Sequence, residues 1–239
     1  MVFDAVYYEP DSLKYELGLH LMEQYPDIPW IPIESHNSIK EMQEKPNSEF
    51  GHMKRNLIMG IRKTHKYVEN HKVSDYLVPF TSSGCTAMCL YCYLVCNYNK
   101  CAYLRLFVNR EQMLDRLLRR SLKEPGQTYE IGSNSDLVLE NTITGNLLYT
   151  IPRFAEEGNG SLTFPTKFHM VEPLLSLNHR GKVIFRMSVN PQPIISRIEL
   201  GTSSLKERIQ AVNQMCEAGY PCGLLIAPVI LTDGWKDMY

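Results

Sequence analysis

The chain has 239 residues, 44% of them hydrophobic, and a formal net charge of −1 at pH 7. This length is enough for one sizeable domain with an extension, and the near-zero charge excludes a strongly basic domain but leaves room for a local cationic face. No apolar run is long enough to span a membrane, and the acidic N-terminus lacks the charge-then-apolar order of a signal peptide. We therefore expect a cytoplasmic protein with reduced thiols.

Residues 1–74 are predicted to form an irregular N-terminal extension, because five prolines interrupt them. Within this segment we expect a short helix over 12–23 and a strand at 57–59. Basic side chains flank that strand and are favoured for contacts to nucleic-acid phosphates; a second basic set lies on a later predicted helix, where a solvated face is the simpler interpretation. Neither set is dense enough to argue nucleic-acid binding alone. The two sets are Lys54, Arg55, Arg62, Lys63 and Lys66, and Arg116, Arg119, Arg120 and Lys123.

From residue 75 to 239, apolar runs of strand length alternate with amphipathic helical stretches. Such alternation is typical of βαβ units and a parallel sheet, so we predict an α/β fold in which these residues form a partial βα-type barrel. In such a barrel the functional residues lie at the carboxyl ends of the strands and in the loops that follow. The predicted strands cover 77–81, 128–132, 162–166, 183–188 and 223–230.

Two helix starts in this region carry the signature of a capping box, a pair of polar side chains three residues apart that satisfy each other's backbone amides. Asn109 with Gln112 predicts the start of one helix, and Ser204 with Glu207 predicts another that ends at Gly219. The apolar face of the second helix is predicted to consist of Leu205, Ile209, Val212 and Cys216.

Five of the seven cysteines fall within GCTAMCLYCYLVCNYNKC, residues 84–101. Cys85, Cys89 and Cys92 have the spacing C-x3-C-x2-C and follow the first predicted strand of the barrel. Three thiolates from one loop can hold an iron–sulfur cube and leave its fourth iron open to another ligand, the arrangement that radical S-adenosylmethionine (SAM) enzymes use. Two alternatives stay open: a zinc site completed by Cys96 or Cys101, and thiols that are simply part of the core.

Ten short stretches, spread from the first residues to the last, carry a more specific signal than the cysteines alone. They are YEPDSLKYELG (8–18), SHN (35–37), LIMGIRKT (57–64), DYLVPF (75–80), CLYCYL (89–94), YLRLFVN (103–109), TKFH (166–169), FRMSVN (185–190), GTSSLKERI (201–209) and AGYPCGLLIAPV (218–229). In content and order they resemble the spore photoproduct lyases, radical SAM enzymes of spore-forming bacteria.

The resemblance implies a DNA-repair lyase that reverts 5-thyminyl-5,6-dihydrothymine, the thymine dimer formed by ultraviolet light in spore DNA, to two thymines. It implies a [4Fe-4S] cluster and SAM as cofactors, with a 5′-deoxyadenosyl radical that removes a hydrogen atom from the bridging methylene group. It also implies UV-damaged DNA and an electron donor such as flavodoxin or ferredoxin as partners, a monomer, and a location in the spore core. A related radical SAM enzyme with another substrate and a zinc-bearing nucleic-acid-binding module are the alternatives.

The residues of the family's site transfer to matching positions here. The resemblance makes Cys85, Cys89 and Cys92 the cluster ligands. Tyr91 and Tyr93 match two tyrosines implicated in hydrogen-atom return, with aromatic packing as the plainer interpretation. The positions that match SAM contacts are Ser135, Lys167 and Ser188, and a solvated surface lysine is the alternative for Lys167.

The sequence departs from the family in two places. Family members commonly carry a cysteine as hydrogen donor at the position of Ser133, and a serine O–H bond is too strong for that role. We expect Cys101 or Cys96 to take over the donation through the tyrosines, with ordinary small residues as the alternative. The chain also ends at GWKDMY, where the family continues, so we expect a less closed barrel that lacks the family's C-terminal part.

Overall fold

A computed structural model of the chain describes residues 3–94 and 103–239. The strands are β1 (Ala5–Tyr8), β2 (Trp30–Pro32), β3 (Asn56–Gly60), β4 (Val68–Glu69), β5 (Tyr76–Val78), β6 (Ser82–Ser83), β7 (Met88–Cys89), β8 (Arg105–Phe107), β9 (Thr128–Ile131), β10 (Ser161–Thr166), β11 (Val183–Ser188), β12 (Glu199–Leu200) and β13 (Cys222–Leu225). The helices are α1 (Glu16–Gln24), α2 (Lys40–Gln43), α3 (Phe50–Met53), α4 (Arg110–Lys123), α5 (Leu137–Thr144), α6 (Asn146–Glu157), α7 (Gln192–Ile198), α8 (Leu205–Glu217) and α9 (Trp235–Met238), with 3-10 turns at Pro10–Lys14, Asn47–Glu49 and Glu172–Leu174.

The first sheet has the strand order β2-β1-β3-β8-β6, parallel except for β6. Successive side chains of a strand point to opposite faces, so this sheet has a core on each side. Val6, Leu57 and Met59 pack on one face against α1, whereas Tyr7 and Ile58 pack in a separate cluster on the other face. Both faces of these strands are therefore buried.

The expectation that residues 1–74 are largely irregular is wrong, because they contribute three strands of the first sheet as well as α1. The prolines do not prevent this, since they lie in the connections, and Pro32 lies at the end of an edge strand, where a missing amide is tolerated. The expected strand at 57–59 is confirmed. The boundary at residue 74 stays a prediction, although strands from both sides of it pair in one sheet.

A buried carboxylate ties three segments of this sheet together. Glu9 accepts hydrogen bonds from the backbone N–H of His36 at 3.0 Å, from His36 Nδ1 at 2.7 Å, and from the backbone N–H of Ile61 at 3.0 Å. Burial acts to raise the pKa of Glu9, but the two backbone donors and His36 outweigh it and hold that pKa below its usual range. The YEPD, SHN and LIMGIRKT stretches therefore meet at one structural junction.

The second sheet has the order β13-β11-β10-β9-β5-β4, and all of its pairs are parallel except β4 with β5. The predicted strands at 128–132, 162–166 and 183–188 are confirmed. The strand predicted at 77–81 ends at Val78, because Pro79 follows and has no amide to donate to the ladder. The strand predicted at 223–230 is half as long, ending at Leu225.

Helices cover one face of this second sheet and supply its main core. Leu114 and Leu117 of α4 and Ile151 of α6 are fully buried in the cluster that contains the sheet's inward side chains. Phe154 meets Tyr129 of β9 edge-on, with ring centroids 6.5 Å apart. The α/β fold predicted from the alternating pattern is confirmed.

One of the two predicted capping boxes forms. Ser204 accepts from the Glu207 amide while the Glu207 carboxylate accepts from the Ser204 amide, and α8 starts there as predicted. The box at Asn109 is wrong: its side chain bonds the backbone N–H and C=O of Arg62 at 3.0 Å each and also contacts Gln112. The side-chain amide of Asn109, which was predicted to cap the helix, instead makes a tertiary contact with the backbone of Arg62.

The buried face predicted for α8 is wrong except at Val212, which packs against the core. Its buried residues are Arg208, Ala211 and Met215, whereas Ile209 is 48% exposed and Cys216 is exposed. Arg208 looks like a surface residue in sequence, but it is fully buried by an ion pair described below. Because Arg208 points inwards, the buried face of α8 lies about one residue earlier in the sequence than the apolar pattern predicts.

The two sheets join where the chain leaves β5 and enters β6. At this seam the backbone of Gly84 forms a parallel bridge with Ser135, which lies in the loop after β9. The carboxyl ends of the parallel strands therefore open towards the loop that follows β6. Among the described residues, no helix is long and apolar enough to cross a lipid bilayer.

Candidate active site

A cavity of about 230 Å³ lies at the carboxyl ends of the second sheet's strands, where a parallel barrel is expected to hold its ligands. It brings together every predicted site residue that the structure describes. The lining includes the three cysteines of the C-x3-C-x2-C motif, both tyrosines between and after them, and the polar residues after three strands. These are Cys85, Cys89, Cys92, Tyr91, Tyr93, Ser133, Ser135, Lys167 and Ser188.

The cysteine loop starts immediately after β6. Gly84 has φ +78°, a conformation that glycine adopts without strain, and it turns the chain so that Cys85 follows at the cavity wall. Cys89 ends β7, which pairs with β12, and the Cys92 amide donates to the Cys89 carbonyl at 3.1 Å. All three are free thiols. Cys96 and Cys101 lie outside the described residues.

The cysteine thiols must lose their protons to become ligands, and a neighbouring positive charge favours that loss. Burial raises the pKa of Cys85 to about 12 and raises that of Cys89 as well, so neither would ionise near neutral pH by itself. In residues 3–94 and 103–239 no three His, Cys, Asp or Glu side chains are arranged around a single metal ion. An iron–sulfur cube does not require that arrangement, because each thiolate binds a different iron. Three thiols from one loop at the cavity wall are a donor set that fits such a cluster.

Tyr91 belongs to a buried charged network on the other side of the cavity wall. Its hydroxyl donates a short hydrogen bond to Glu199 Oε1, which also accepts from Asn190 Nδ2 at 2.9 Å. Glu199 Oε2 lies 2.7 Å from Arg208 Nη1, and both side chains of this ion pair are fully buried. Burial acts to raise the pKa of Glu199, but the Tyr91 hydrogen bond and the charge of Arg208 hold it below its usual range.

Tyr93 reaches the loop after β9. Its hydroxyl lies 3.0 Å from the Ser133 carbonyl oxygen and 2.9 Å from Asn134 Oδ1, and the side chain is 51% exposed. Gly132 begins this loop with φ +89°, and a Cβ there would lie 2.8 Å from the Leu137 side chain. The glycine thus permits the turn that brings Ser133 to the cavity.

Buried carboxylates fix the polar groups of the cavity floor. Ser135 contacts Ser82, which in turn donates to Glu140, a residue with no exposed surface. Asp136 caps α5 and accepts from the Lys167 amide at 2.9 Å, which sets the start of the loop after β10. Burial raises the pKa of both carboxyl groups.

Lys167 and Ser188 end neighbouring strands and face the same space. The Lys167 ammonium lies 5.8 Å from the centre of the Tyr91 ring, and its side chain is only partly exposed. Ser188 is buried, and its carbonyl accepts from Arg208 Nη1 at 2.9 Å. Both therefore lie in the cavity wall and not on an open surface.

Two members of the basic set around 57–59 are used inside the structure, whereas Arg55, Lys63 and Lys66 are exposed. Lys54 is 3% exposed and bonds the carbonyl oxygens of Cys85 and Ala87. Arg62 donates to the Phe80 carbonyl at 2.8 Å and lies 3.9 Å from the centre of the Phe107 ring. The prediction that these two side chains face DNA phosphates is wrong, because the tertiary structure uses both internally. The second basic set lines a separate cavity with His65 and Tyr67.

Sequence reasoning missed the charged residues that support the site. Glu199, Arg208, Asp136 and Lys54 are all buried and all bond to site residues or their loops. Charged side chains are usually exposed, so composition gave no reason to place them inside. A positional signal was available for Asp136, which closely follows the predicted strand 128–132.

The comparisons with known proteins agree with this geometry. A family model described as spore photoproduct lyase matches residues 1–239. Spore photoproduct lyase of Bacillus subtilis (strain 168) is 35% identical over 241 positions, covering 98% of this chain and 70% of the relative. The enzyme of Geobacillus sp. (strain Y412MC61) is 33% identical, with coverage of 98% and 70%.

Solved structures give the same result. A spore photoproduct lyase complexed with dinucleoside spore photoproduct superposes with a TM-score of 0.92 at 30% identity, over 100% of this chain and 71% of that one. A double mutant with bound AdoMet and dinucleoside spore photoproduct gives 0.93 at 30% identity, over 100% and 72%. The parallel sheets match these structures and are consistent with the predicted partial radical SAM barrel. The chain belongs to the spore photoproduct lyase family.

Proposed function

We propose that this chain reverts the spore photoproduct in UV-damaged DNA to two thymines, with a [4Fe-4S] cluster and SAM as cofactors. The observation that carries the proposal is the single cavity that collects the cysteine motif, the tyrosines and the polar strand ends. When bound, the two cofactors supply a 5′-deoxyadenosyl radical that removes a hydrogen atom from the lesion. The chain's own residues bind and orient the cofactors and the lesion, and they exclude water from the cavity.

Cys85, Cys89 and Cys92 would hold the cluster, one thiolate on each of three irons. The Gly84 bridge to Ser135 and the pairing of β7 with β12 fix the segment from Gly84 to Cys89, and the Cys92 amide donates to the Cys89 carbonyl. A loop held in this way presents its sulfur atoms in a defined order and needs little ordering when the cluster binds.

Ser135, Lys167 and Ser188 would bind SAM. The Lys167 ammonium is the cationic group in the cavity suited to a carboxylate, whereas the serine hydroxyls suit ribose or amino groups. Asp136 orients the Lys167 backbone, and Glu140 fixes Ser135 through Ser82. Buried hydrogen bonds therefore hold the Ser135 hydroxyl and the backbone of Lys167 and Ser188.

Hydrogen return in this chain would involve Tyr93 and Tyr91, because Ser133 cannot act as a thiol donor. The Tyr93 hydroxyl lies against the Ser133 backbone, where it can pass a hydrogen atom to a radical held in the cavity. We propose that Cys101 or Cys96 supplies that hydrogen through the tyrosines. The test is the yield of thymine product for Cys96→Ala and Cys101→Ala, measured separately and together. Unchanged yield in all three would reject the idea.

The main experiment is repair of a dinucleoside spore photoproduct. Anaerobically reconstituted protein would be incubated with the lesion, SAM and dithionite, and the thymidine-containing product measured by chromatography. We expect product from the native chain and none from Cys89→Ala, because its cluster loses a ligand. Cys216→Ala is the matched control, since it removes an exposed thiol outside the cavity. If the native chain cleaves SAM without forming product, the alternative of a related radical SAM enzyme with another substrate is correct.

The remaining partners follow from the same chemistry. Reduction of the cluster requires a one-electron donor, and we propose a flavodoxin or ferredoxin, acting on a monomer in the spore core. Replacement of dithionite by a purified flavodoxin with its reductase tests the donor, and light scattering of the reconstituted protein tests the monomer. A stable dimer, or repair with dithionite alone and never with either protein donor, would contradict these assignments.

A further inference from the structure

Lys54 is a buried cation beneath the cysteine loop. Its side chain extends from the short connection between α3 and β3, and the residue is 3% exposed. Its Nζ donates to the carbonyl oxygen of Cys85 at 2.9 Å and to that of Ala87 at 2.5 Å. Both acceptors lie between the first and second cysteines of the motif, so this ammonium fixes the turn that separates Cys85 from Cys89.

The charge of Lys54 has no carboxylate partner in the described part of the chain, where its contacts are the two carbonyls and the face of Phe50, 5.6 Å from the ring centre. An ammonium taken out of water and given only neutral acceptors is costly. The two carbonyls place the ammonium directly beneath the segment from Cys85 to Cys89, so a negatively charged group bound by these cysteines would lie close enough to compensate its charge.

We propose that Lys54 is a positioning residue for the cluster: it pins the loop between the first two ligands and supplies the buried positive charge that balances the thiolate-bound iron. This inference rests on the proposed function only in assuming that the three cysteines bind a [4Fe-4S] cluster. A cube with three thiolates carries net negative charge, and one electron from a donor such as dithionite makes it more negative. A fixed cation nearby in a low-dielectric site favours the more negative form.

The redox test uses three variants of the reconstituted protein. Lys54→Gln removes the charge and keeps one donor, Lys54→Arg keeps the charge, and Lys63→Gln makes the same charge change at an exposed position. The cluster potential is read by electron paramagnetic resonance during a redox titration. For Lys54→Gln we expect the reduction equilibrium constant to fall about tenfold, which is about 59 mV for one electron. Lys54→Arg and Lys63→Gln should stay within about twofold of the native chain.

A second readout does not depend on activity. Without the cluster, the Lys54 charge is uncompensated, so Lys54→Met should raise the thermal midpoint of the cluster-free protein or leave it unchanged. With the cluster bound, the same substitution should lower the midpoint. If the substitution lowers the midpoint of the cluster-free protein, whether it raises or lowers that of the cluster-bound protein, Lys54 has a purely structural role and the inference is overturned.

The two proposals fail in different ways. A native chain that never takes up four irons overturns the proposed function and this inference together. A native chain that repairs the dinucleoside, combined with a Lys54→Gln potential within twofold of native, overturns only the inference. If Lys54→Gln does not fold, a tenfold or larger shift in Lys54→Arg relative to Lys63→Gln would also contradict it, because the charge is retained there.

Discussion

The buried pair of Arg208 and Glu199 gives the sharpest expectation for stability. Both side chains are fully buried, with Arg208 Nη1 at 2.7 Å from Glu199 Oε2. Arg208 also donates to the Ser203 carbonyl at 2.9 Å, the Ser188 carbonyl at 2.9 Å and Thr202 Oγ1 at 2.6 Å. Arg208→Met would keep most of the volume while removing the charge and all of these donors.

The expected loss in the free energy of unfolding depends on the polar groups that remain buried after Arg208 is replaced. Breaking one partner of a buried ion pair costs about 3–5 kcal/mol, because the remaining carboxylate is left without its counter-charge. Tyr91 and Asn190 still donate to Glu199 and offset part of this cost, whereas the orphaned acceptors add to it at about 1 kcal/mol each before relaxation. We expect Arg208→Met to lower the free energy of unfolding by about 4 kcal/mol, a large share of the 5–15 kcal/mol typical of a domain.

The assay is urea unfolding of the cluster-free protein, followed by far-UV circular dichroism. Arg197→Met is the matched control, because the same replacement at an exposed site of α7 should stay within about 0.5 kcal/mol of the native chain. The double substitution Arg208→Met, Glu199→Gln should recover about 2 kcal/mol relative to Arg208→Met, since the unpaired charge is gone. A loss below about 1 kcal/mol for Arg208→Met, or no recovery in the double variant, would refute this account.

Three further expectations concern the hydrogen donor, the first sheet and pH. Ser133→Cys should raise the fraction of lesion converted to thymine and, in heavy water, introduce deuterium into the product from an exchangeable thiol; no deuterium would contradict a donor role at this position. Glu9→Gln should lower the free energy of unfolding by about 2–3 kcal/mol, because an amide cannot accept all the bonds from His36 and Ile61, and urea unfolding would measure it. Burial lowers the pKa of His36, and burial with neighbouring arginines lowers that of His65, so the folded chain takes up these protons less readily than the unfolded chain. Stability should therefore fall as the pH drops below the unfolded value of about 6.5, and His36→Asn, His65→Asn should flatten that fall.

Much of the site could be predicted from the sequence. The spacing of Cys85, Cys89 and Cys92 suggested a three-thiolate loop, and the strand ends carrying Lys167 and Ser188 suggested a ligand site. The cavity collects all of these residues. The reason is topological: carboxyl ends of parallel strands meet at one edge, so residues far apart in sequence become neighbours once the strands are recognised.

Strand and helix periodicity, turn residues and the cysteine spacing act over a few residues, and the sequence by itself determined those features, including most strands of the second sheet and the capping box of α8. The tertiary structure alone decided where buried charge is compensated. Lys54, Asn109 and Arg208 all look like local or surface residues, yet each bonds to a segment distant in the chain. The free energy of a buried polar group depends on the partners that surround it, and those partners are assembled only when the whole chain has folded.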